Sequence, residues 1–388
     1  ETSRELTDLR RILEGRIHAR ARDLYTRRQE ELAAVAVADA DEARALGFGV
    51  LTYPRVDGST STRPLGVIMA CKTLDSPYQW AATGRYAGRW HTEASPIPIH
   101  DFSPYPRAAR ARPGGADTAH TRDQFSLVGY RPVAQADDSQ GYAGERLATV
   151  INRMLTVHAG THGAYVNLIN GDTDLALVAR KPSEDELALA ARNDVPLAWE
   201  AVALDAFVFI TNVENPVTNL TTKQIRGIYS GEIENWTELG GEDGSINAYR
   251  RNPNSGSQEL MKSLVMQDLA FAELDHPRAG RMIHRGMGGP YLALTHDRRG
   301  IGYSVYYYEH FMAGSPDTEL LAVDGVMPSY ASIRDATYPY VTKVYAVIRR
   351  ETPEDAGAAR LRDWLRSAEG RAVIRESGYV PLRTTAAD

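Results

Sequence analysis

Cysteine is nearly absent: the 388 residues hold one, Cys71, so no internal disulfide can form. It sits in LGVIMACKTL, an apolar-rich stretch that reads as a helix, where a thiol is expected as a small buried hydrophobe rather than a reactive group. Long apolar runs are missing as well. No segment approaches the roughly 18 apolar residues of a membrane helix, and the opening ETSRELTDLRR lacks the apolar core of a secretion signal. There is no basic excess: 44 Lys and Arg against 50 Asp and Glu give a net charge of −6, which argues against nucleic acid as a partner. The 10 histidines show no HExxH spacing. The nearest approach to a pair, His158 and His162, is interrupted by Gly160, so neither a metal site nor a cofactor is expected. GYSVY, from Gly302 to Tyr306, lacks the glycine that a nucleophile elbow places two residues after its serine. RGMGGP, from Arg285 to Pro290, has neither a P-loop lysine nor dinucleotide spacing and reads as a turn. The run Tyr306, Tyr307, Tyr308 reads as packing.

What is present is a soluble-protein composition, 43% hydrophobic and 24% charged, in a chain long enough for two compact lobes. Leu6, Leu9, Ile12, Leu13, Ile17 and Leu24 recur at helical spacing, which predicts one or two amphipathic helices over 3–38 with a solvated basic face. From about 76 to 143 the chain is rich in Pro, Gly, Arg and Ser, the chemistry of a long loop or insertion. Elsewhere strands alternate with capped helices. Ser183 with Glu186, and Thr221 with Gln224, make capping boxes, Gly231 is placed to stop a helix, and AVALDAFVFITN reads as a buried strand. The alternation predicts an α/β protein with mostly parallel sheets.

Three helix starts carry the chemistry. In YRRNPNSGSQELMKSL, Ser255 and Gln258 form a further capping box, so the helix begins at Ser255-Gly256-Ser257. Its first N–H groups lack partners within the helix and carry the positive end of the dipole. Gly256 opens close approach to those amides, the two serines add hydroxyls, and Arg251 can add a two-pronged guanidinium. Alone, the stretch fits a capped surface helix and an anion site equally well. DGSTSTRPL, with Ser59, Thr60 and Ser61 between a strand and a helix, and Thr161 in HAGTHGAYVNL, repeat the pattern. Three such starts point to an oxyanion site assembled from several loops.

With these segments in hand, the chain resembles the periplasmic phosphate-binding proteins of ABC importers, two-lobed solute receptors of type II topology. The resemblance is carried by DGSTSTRPL, THGAYVNLINGDTDLALVARKPSEDE, the block DAFVFITN to NWTELGG, YRRNPNSGSQELM, GIGYSVYYYEHFM and the segment ending YPYVTKVYAVI, in the family's order. It implies a two-lobed α/β fold with a hinge and an N-terminal helical extension. Residues 1–46 would form the arm, 47–205 with 338–388 the first lobe, carrying the 76–143 insertion, and 206–337 the second, with crossings at ALDAF and YPYVTKVYAV.

The resemblance also implies that phosphate or a similar small oxyanion is held by Ser59, Thr60, Ser61, Thr161, Arg251, Ser255, Gly256 and Ser257, with no catalytic residue. Its further implications are a membrane permease as partner, an exported periplasmic or cell-surface location with the signal removed, and a monomer. Phosphate receptors carry an aspartate after the strand that follows the second loop. LVARKP has Arg180 there, which would favour a larger or more highly charged anion and makes Arg180 a further candidate ligand. Asp57 is the nearest alternative proton acceptor, or else a loop-capping aspartate. The competing expectations are a hydrolase or transferase of phosphate or sulfate esters, with Ser255 or Ser257 as nucleophile, and an anion-sensing domain without transport.

Overall fold

A computed structural model describes residues 31, 38, 40–49, 52–76, 78–82, 85–86, 89–90, 94–98, 159–273, 283–284, 286–313 and 315–383. The helical arm expected over 3–38 falls outside the described residues except at 31 and 38, as does most of the 76–143 insertion. The first described helix is α1 (Asp41–Ala45), whose leading N–H groups, Glu42 N and Ala43 N, donate to the Glu369 carboxylate at 2.9 and 2.8 Å. β1 (Val56–Gly58) leads through a 3-10 turn, Thr60–Thr62, into α2 (Arg63–Thr73). Pro64 stands in the first turn of α2, where its missing N–H costs nothing, and Cys71 is buried there as a small hydrophobe.

Part of the stretch read as loop is a β-ribbon. β2 (Tyr78–Ala82) pairs antiparallel with β5 (Ala94–Pro98), and β3 (Arg85–Tyr86) with β4 (Arg89–Trp90) inside it. Pro96 and Pro98 tolerate this because a two-stranded ribbon has outer edges that need no amide donor.

The next elements are α3 (Gly160–Asn170), β6 (Leu175–Val178) and α4 (Glu184–Arg192). Then comes β7 (Leu197–Asn212), a 16-residue strand. Beyond it lie β8 (Asn219–Leu220), α5 (Thr222–Ser230), β9 (Asn247–Ala248) and β10 (Arg250–Arg251). α6 (Gly256–Leu260) runs directly into a π-helical turn, Met261–Met266. β11 (Ile283–His284), α7 (Gly289–Leu294), β12 (Gly300–Val305), β13 (Thr318–Leu320), β14 (Ala322–Val323) and α8 (Tyr330–Arg334) follow. β15 (Val341–Arg349), α9 (Gly357–Arg366), α10 (Ala368–Glu376) and β16 (Val380–Pro381) close the chain.

The main sheet has the order β1-β6-β15-β7-β12-β9 and is mixed rather than mostly parallel. β1 with β6 and β12 with β9 are parallel, but β15 is antiparallel to both neighbours and β7 is antiparallel to β12, β13, β15 and β16. The expectation fails because the two longest strands carry the chain out of one half and back into it, and such return strands run against their neighbours. β7 serves both lobes: residues 197–206 pair with β15, and 207–211 pair with β12.

Two large apolar cores flank this seam. The first gathers α2, α9 and α10 around Leu177, Val202 and Val344, while the second gathers Phe207, Phe209, Ile228, Met261 and Tyr303. After β12 the chain dips back, so that Tyr307, Phe311 and Met312 pack in the first core. Tyr307 stacks there on Tyr379 at 3.9 Å between ring centroids, and Tyr306 packs in the second core, so both are packing residues. Asp205 marks the seam itself. Its Oδ1 accepts from Ala206 N (2.8 Å) and Tyr307 N (3.0 Å), while Oδ2 is buried without a hydrogen-bond donor among the described residues.

Candidate functional site

In the first loop Ser59 precedes the 3-10 turn with extended backbone, leaving its side chain out of capping. Ser59 Oγ instead bonds Thr161 Oγ1 at 2.7 Å and accepts from Ala179 N at 3.0 Å, which ties the first loop to the start of α3 and the end of β6. Ser61 is buried and its carbonyl accepts from Tyr379 Oη at 2.9 Å. Thr60 stands beside it at intermediate exposure. Asp57 organises the backbone: Oδ1 accepts from Gly58 N and Ala159 N at 2.7 and 2.9 Å, and Oδ2 from Asn167 Nδ2 at 2.8 Å. These bonds give it the loop-capping role, and both carboxylate oxygens are occupied.

The second lobe brings α6 to the same place. Ser255 caps it, accepting from Gln258 N at 3.3 Å, but Gln258 does not complete the expected capping box. Its side-chain oxygen accepts from Tyr303 Oη and, at 3.2 Å, from Arg251 N, while the Ser255 N–H that a capping box would use donates to Asn252 O at 3.2 Å. Tyr303 Oη also lies 2.9 Å from Arg251 N. Arg251 is only 5% exposed. Its Nη1 lies 3.2 Å from Ser257 Oγ and 3.1 Å from Met287 Sδ. Burial pushes its pKa down, and the oxygens of Tyr303, Tyr308 and Tyr291 act against that shift. A guanidinium remains charged at neutral pH despite such a shift.

The two helix starts meet at Thr161 and Gly256. A Cβ on Gly256 would lie 2.5 Å from Thr161 Oγ1, so only glycine admits this approach of the lobes. The N-cap residue of α3 is Ala159, which supplies no side-chain acceptor to the leading amides. Two positive dipole ends brought close together repel unless negative charge stands between them.

Arg180 is buried in the adjoining wall and is engaged elsewhere. Nη1 and Nη2 donate to Glu186 Oε2 and Oε1, each at 2.7 Å, and Nη1 also reaches Lys181 O at 2.8 Å. Glu186, fully buried, further accepts from Ser183 N at 2.7 Å in the predicted capping box and lies 2.9 Å from His162 Nδ1. The remaining donor, Arg180 Nε, is buried and unpartnered among the described residues.

The structure thus brings Ser59, Thr161, Arg251, Ser255, Gly256 and Ser257 together where the two helix starts meet, with the buried Ser61 in the same loop as Ser59. Gln258, Tyr303, Met287 and Glu186 also belong here; the sequence offered Gln258 and Glu186 only as helix caps, and Tyr303 and Met287 not as site residues. Two signals existed: GYSVY contributes Tyr303, and the glycine turn RGMGGP contributes Met287. Among the described residues no group of three or more His, Cys, Asp or Glu could hold a metal ion. No described helix is long and apolar enough to cross a membrane.

Comparison with known proteins places these elements in a family. The model of the PBP superfamily domain matches residues 115–369. The phosphate-binding protein PstS of Borreliella burgdorferi is 24% identical over 235 residues, covering 60% of this chain and 81% of that protein. Protein SphX of Synechococcus elongatus is 23% identical over 240 residues, covering 58% and 67%. Among solved structures, an ABC-type phosphate transport receptor from Vibrio cholerae has a TM-score of 0.45 at 23% identity, covering 58% of this chain and 86% of its own. With two thirds of its length matched by one family model, and a two-lobed fold built round shared strands, this chain belongs to the PBP superfamily.

Proposed function

We propose that this chain is an extracytoplasmic solute-binding protein that captures phosphate, or a tetrahedral oxyanion like it, between its lobes as the receptor of an ABC-type importer. The observation that carries this reading is the close approach of the α3 and α6 starts at Thr161 and Gly256, beside the buried Arg251. Such an arrangement is electrostatically costly when empty and favourable round an anion. Relatives named as phosphate-binding proteins support the same assignment.

The proposed ligands are the amides and hydroxyls of Ser59, Thr60, Ser61, Thr161, Ser255, Gly256 and Ser257, with Arg251 as the charge. Arg180 is left in the wall, where Glu186 neutralises it. Ser255 and Ser257 hold their oxygens as acceptors, from Gln258 N and Arg251 Nη1 respectively, which favours binding over nucleophilic attack. A buried donor without a partner costs about 1 to 3 kcal/mol, so selectivity follows from matching these donors to the anion's oxygens. The lobes, 47–205 with 338–388 and 206–337, would close about the seam at Asp205, and the closed monomer would present itself to a membrane permease outside the cytoplasm.

Calorimetric titration with phosphate, sulfate and a small organophosphate tests this. Saturable one-to-one binding of phosphate is expected, and indifference to all three anions would overturn the reading.

A further inference from the structure

The lobes are bridged at a second place, at the residue that precedes the Ser255 cap. Arg180 Nη2, in the first lobe, donates to Asn254 O in the second at 3.0 Å. Asn254 Nδ2 returns a bond to Asp185 Oδ2 on the first turn of α4 at 2.9 Å. Asn254 reaches both with φ +63, a left-handed conformation that glycine adopts without cost and that asparagine tolerates better than most residues. A glycine would supply the carbonyl alone. The asparagine adds the bond to Asp185, so its side chain has a specific use at a position where backbone geometry favours its absence. Behind it, the Arg180–Glu186 pair is nearly fully buried and bidentate, which fixes the direction of Nη2.

From this we infer that Asn254 is a closure latch, a positioning residue that sets anion affinity by stabilising the closed arrangement without touching the anion. The inference rests on the proposed anion site for its effect on affinity, but not for its effect on lobe separation. Both bonds exist only when the lobes meet, so they shift the open-to-closed equilibrium and, through it, the apparent affinity. They also act after encounter, so their loss speeds release rather than slowing capture.

The test uses the full chain carrying spin labels at Arg192→Cys and Glu232→Cys, exposed positions on the two lobes. The native Cys71 is buried. Pulsed dipolar spectroscopy then reads lobe separation without anion, and stopped-flow titration with phosphate reads affinity and release. Asn254→Gly and Asp185→Ala should each broaden the distance distribution toward longer separations and speed release about five- to tenfold. The double variant should be no worse than either single one, because the two residues share one bond. Glu184→Ala, which removes a neighbouring exposed charge from the same helix turn, should change neither reading. Unchanged distances in both single variants, or additive losses in the double variant, would overturn the latch. If the parent chain binds neither phosphate nor sulfate, the anion reading fails while the distances alone still decide this one.

Discussion

Both lobes bury an arginine against the same cleft, and they treat it in opposite ways. In the first lobe Arg180 faces the fully buried carboxylate of Glu186, so the pair is neutral as a unit and its worth lies in fixing loops. In the second lobe Arg251 has a serine hydroxyl, a methionine sulfur and tyrosines around it, and burial weakens its hold on its proton. Burying a cation costs solvation free energy, and an incoming anion offsets part of that cost. The contrast divides the labour: the first lobe supplies hydroxyls and amides on a stiff wall, and the second supplies net charge.

The largest effect that would sharpen this contrast is on folding. Arg180→Ala leaves Glu186 buried with its main partner gone, so it should cost about 3 to 5 kcal/mol of stability in denaturant titration. Adding Glu186→Gln to that variant should recover part of the loss. A variant of normal stability that no longer binds anion would reverse the roles assigned to the two arginines.

Asp205, at the seam between the lobes, gives the next effect. Burial raises its carboxyl from 3.8 to about 7, so the folded state prefers it protonated. Its stabilising contribution is complete below about pH 4 and is lost as pH rises through 7, a change of up to about 4 kcal/mol at 1.36 kcal/mol per unit. Asp205→Asn should flatten stability across that window and raise it at pH 8, as thermal unfolding at several pH values will tell. An unchanged pH profile would mean that water reaches the Asp205 carboxyl.

Arg251→Ala should weaken phosphate binding at least about a hundredfold, near 3 kcal/mol, the scale of charged hydrogen bonds lost. Retained affinity in calorimetry would move the charge to the first lobe. The smallest effect tests the approach of the lobes directly. Gly256→Ala suits the first helical position, so melting should be unaffected, whereas its Cβ at 2.5 Å from Thr161 Oγ1 should lower affinity about tenfold. A loss under threefold would indicate lobes that need not come so close.

Local features were legible in the sequence and reciprocal ones were not. The capping boxes at Ser183/Glu186 and Thr221/Gln224, the left-handed stop at Gly231, and β7 all stand where short-range rules put them. The three helix starts fall within a few residues of their expected places, though only Ser255 caps its helix with its side chain. What escaped is what distant residues do to a side chain. Glu186 was legible as a cap, but its pairing with Arg180 depends on how the chain turns between β6 and α4. Gln258 was drawn from its cap by Tyr303, 45 residues away. The β2–β5 ribbon was hidden by prolines that its exposed edges tolerate, and the antiparallel return of β15 has no signature within its own residues.

That return strand sets the order in which the molecule can be completed. β15 lies between β6 and β7, two strands made well before it. During synthesis the first lobe's sheet therefore waits with a gap at its centre until residues 341–349 arrive, after the whole second lobe has been made. Its ladder joins Thr342 to Asp205 and Tyr345 to Val178, contacts of high sequence separation that form late and slowly. The lobe that begins the chain is thus the last to become a closed sheet. A ribosome stalled before Val341 would hold a first lobe with two open strand edges, a natural place for a chaperone to bind.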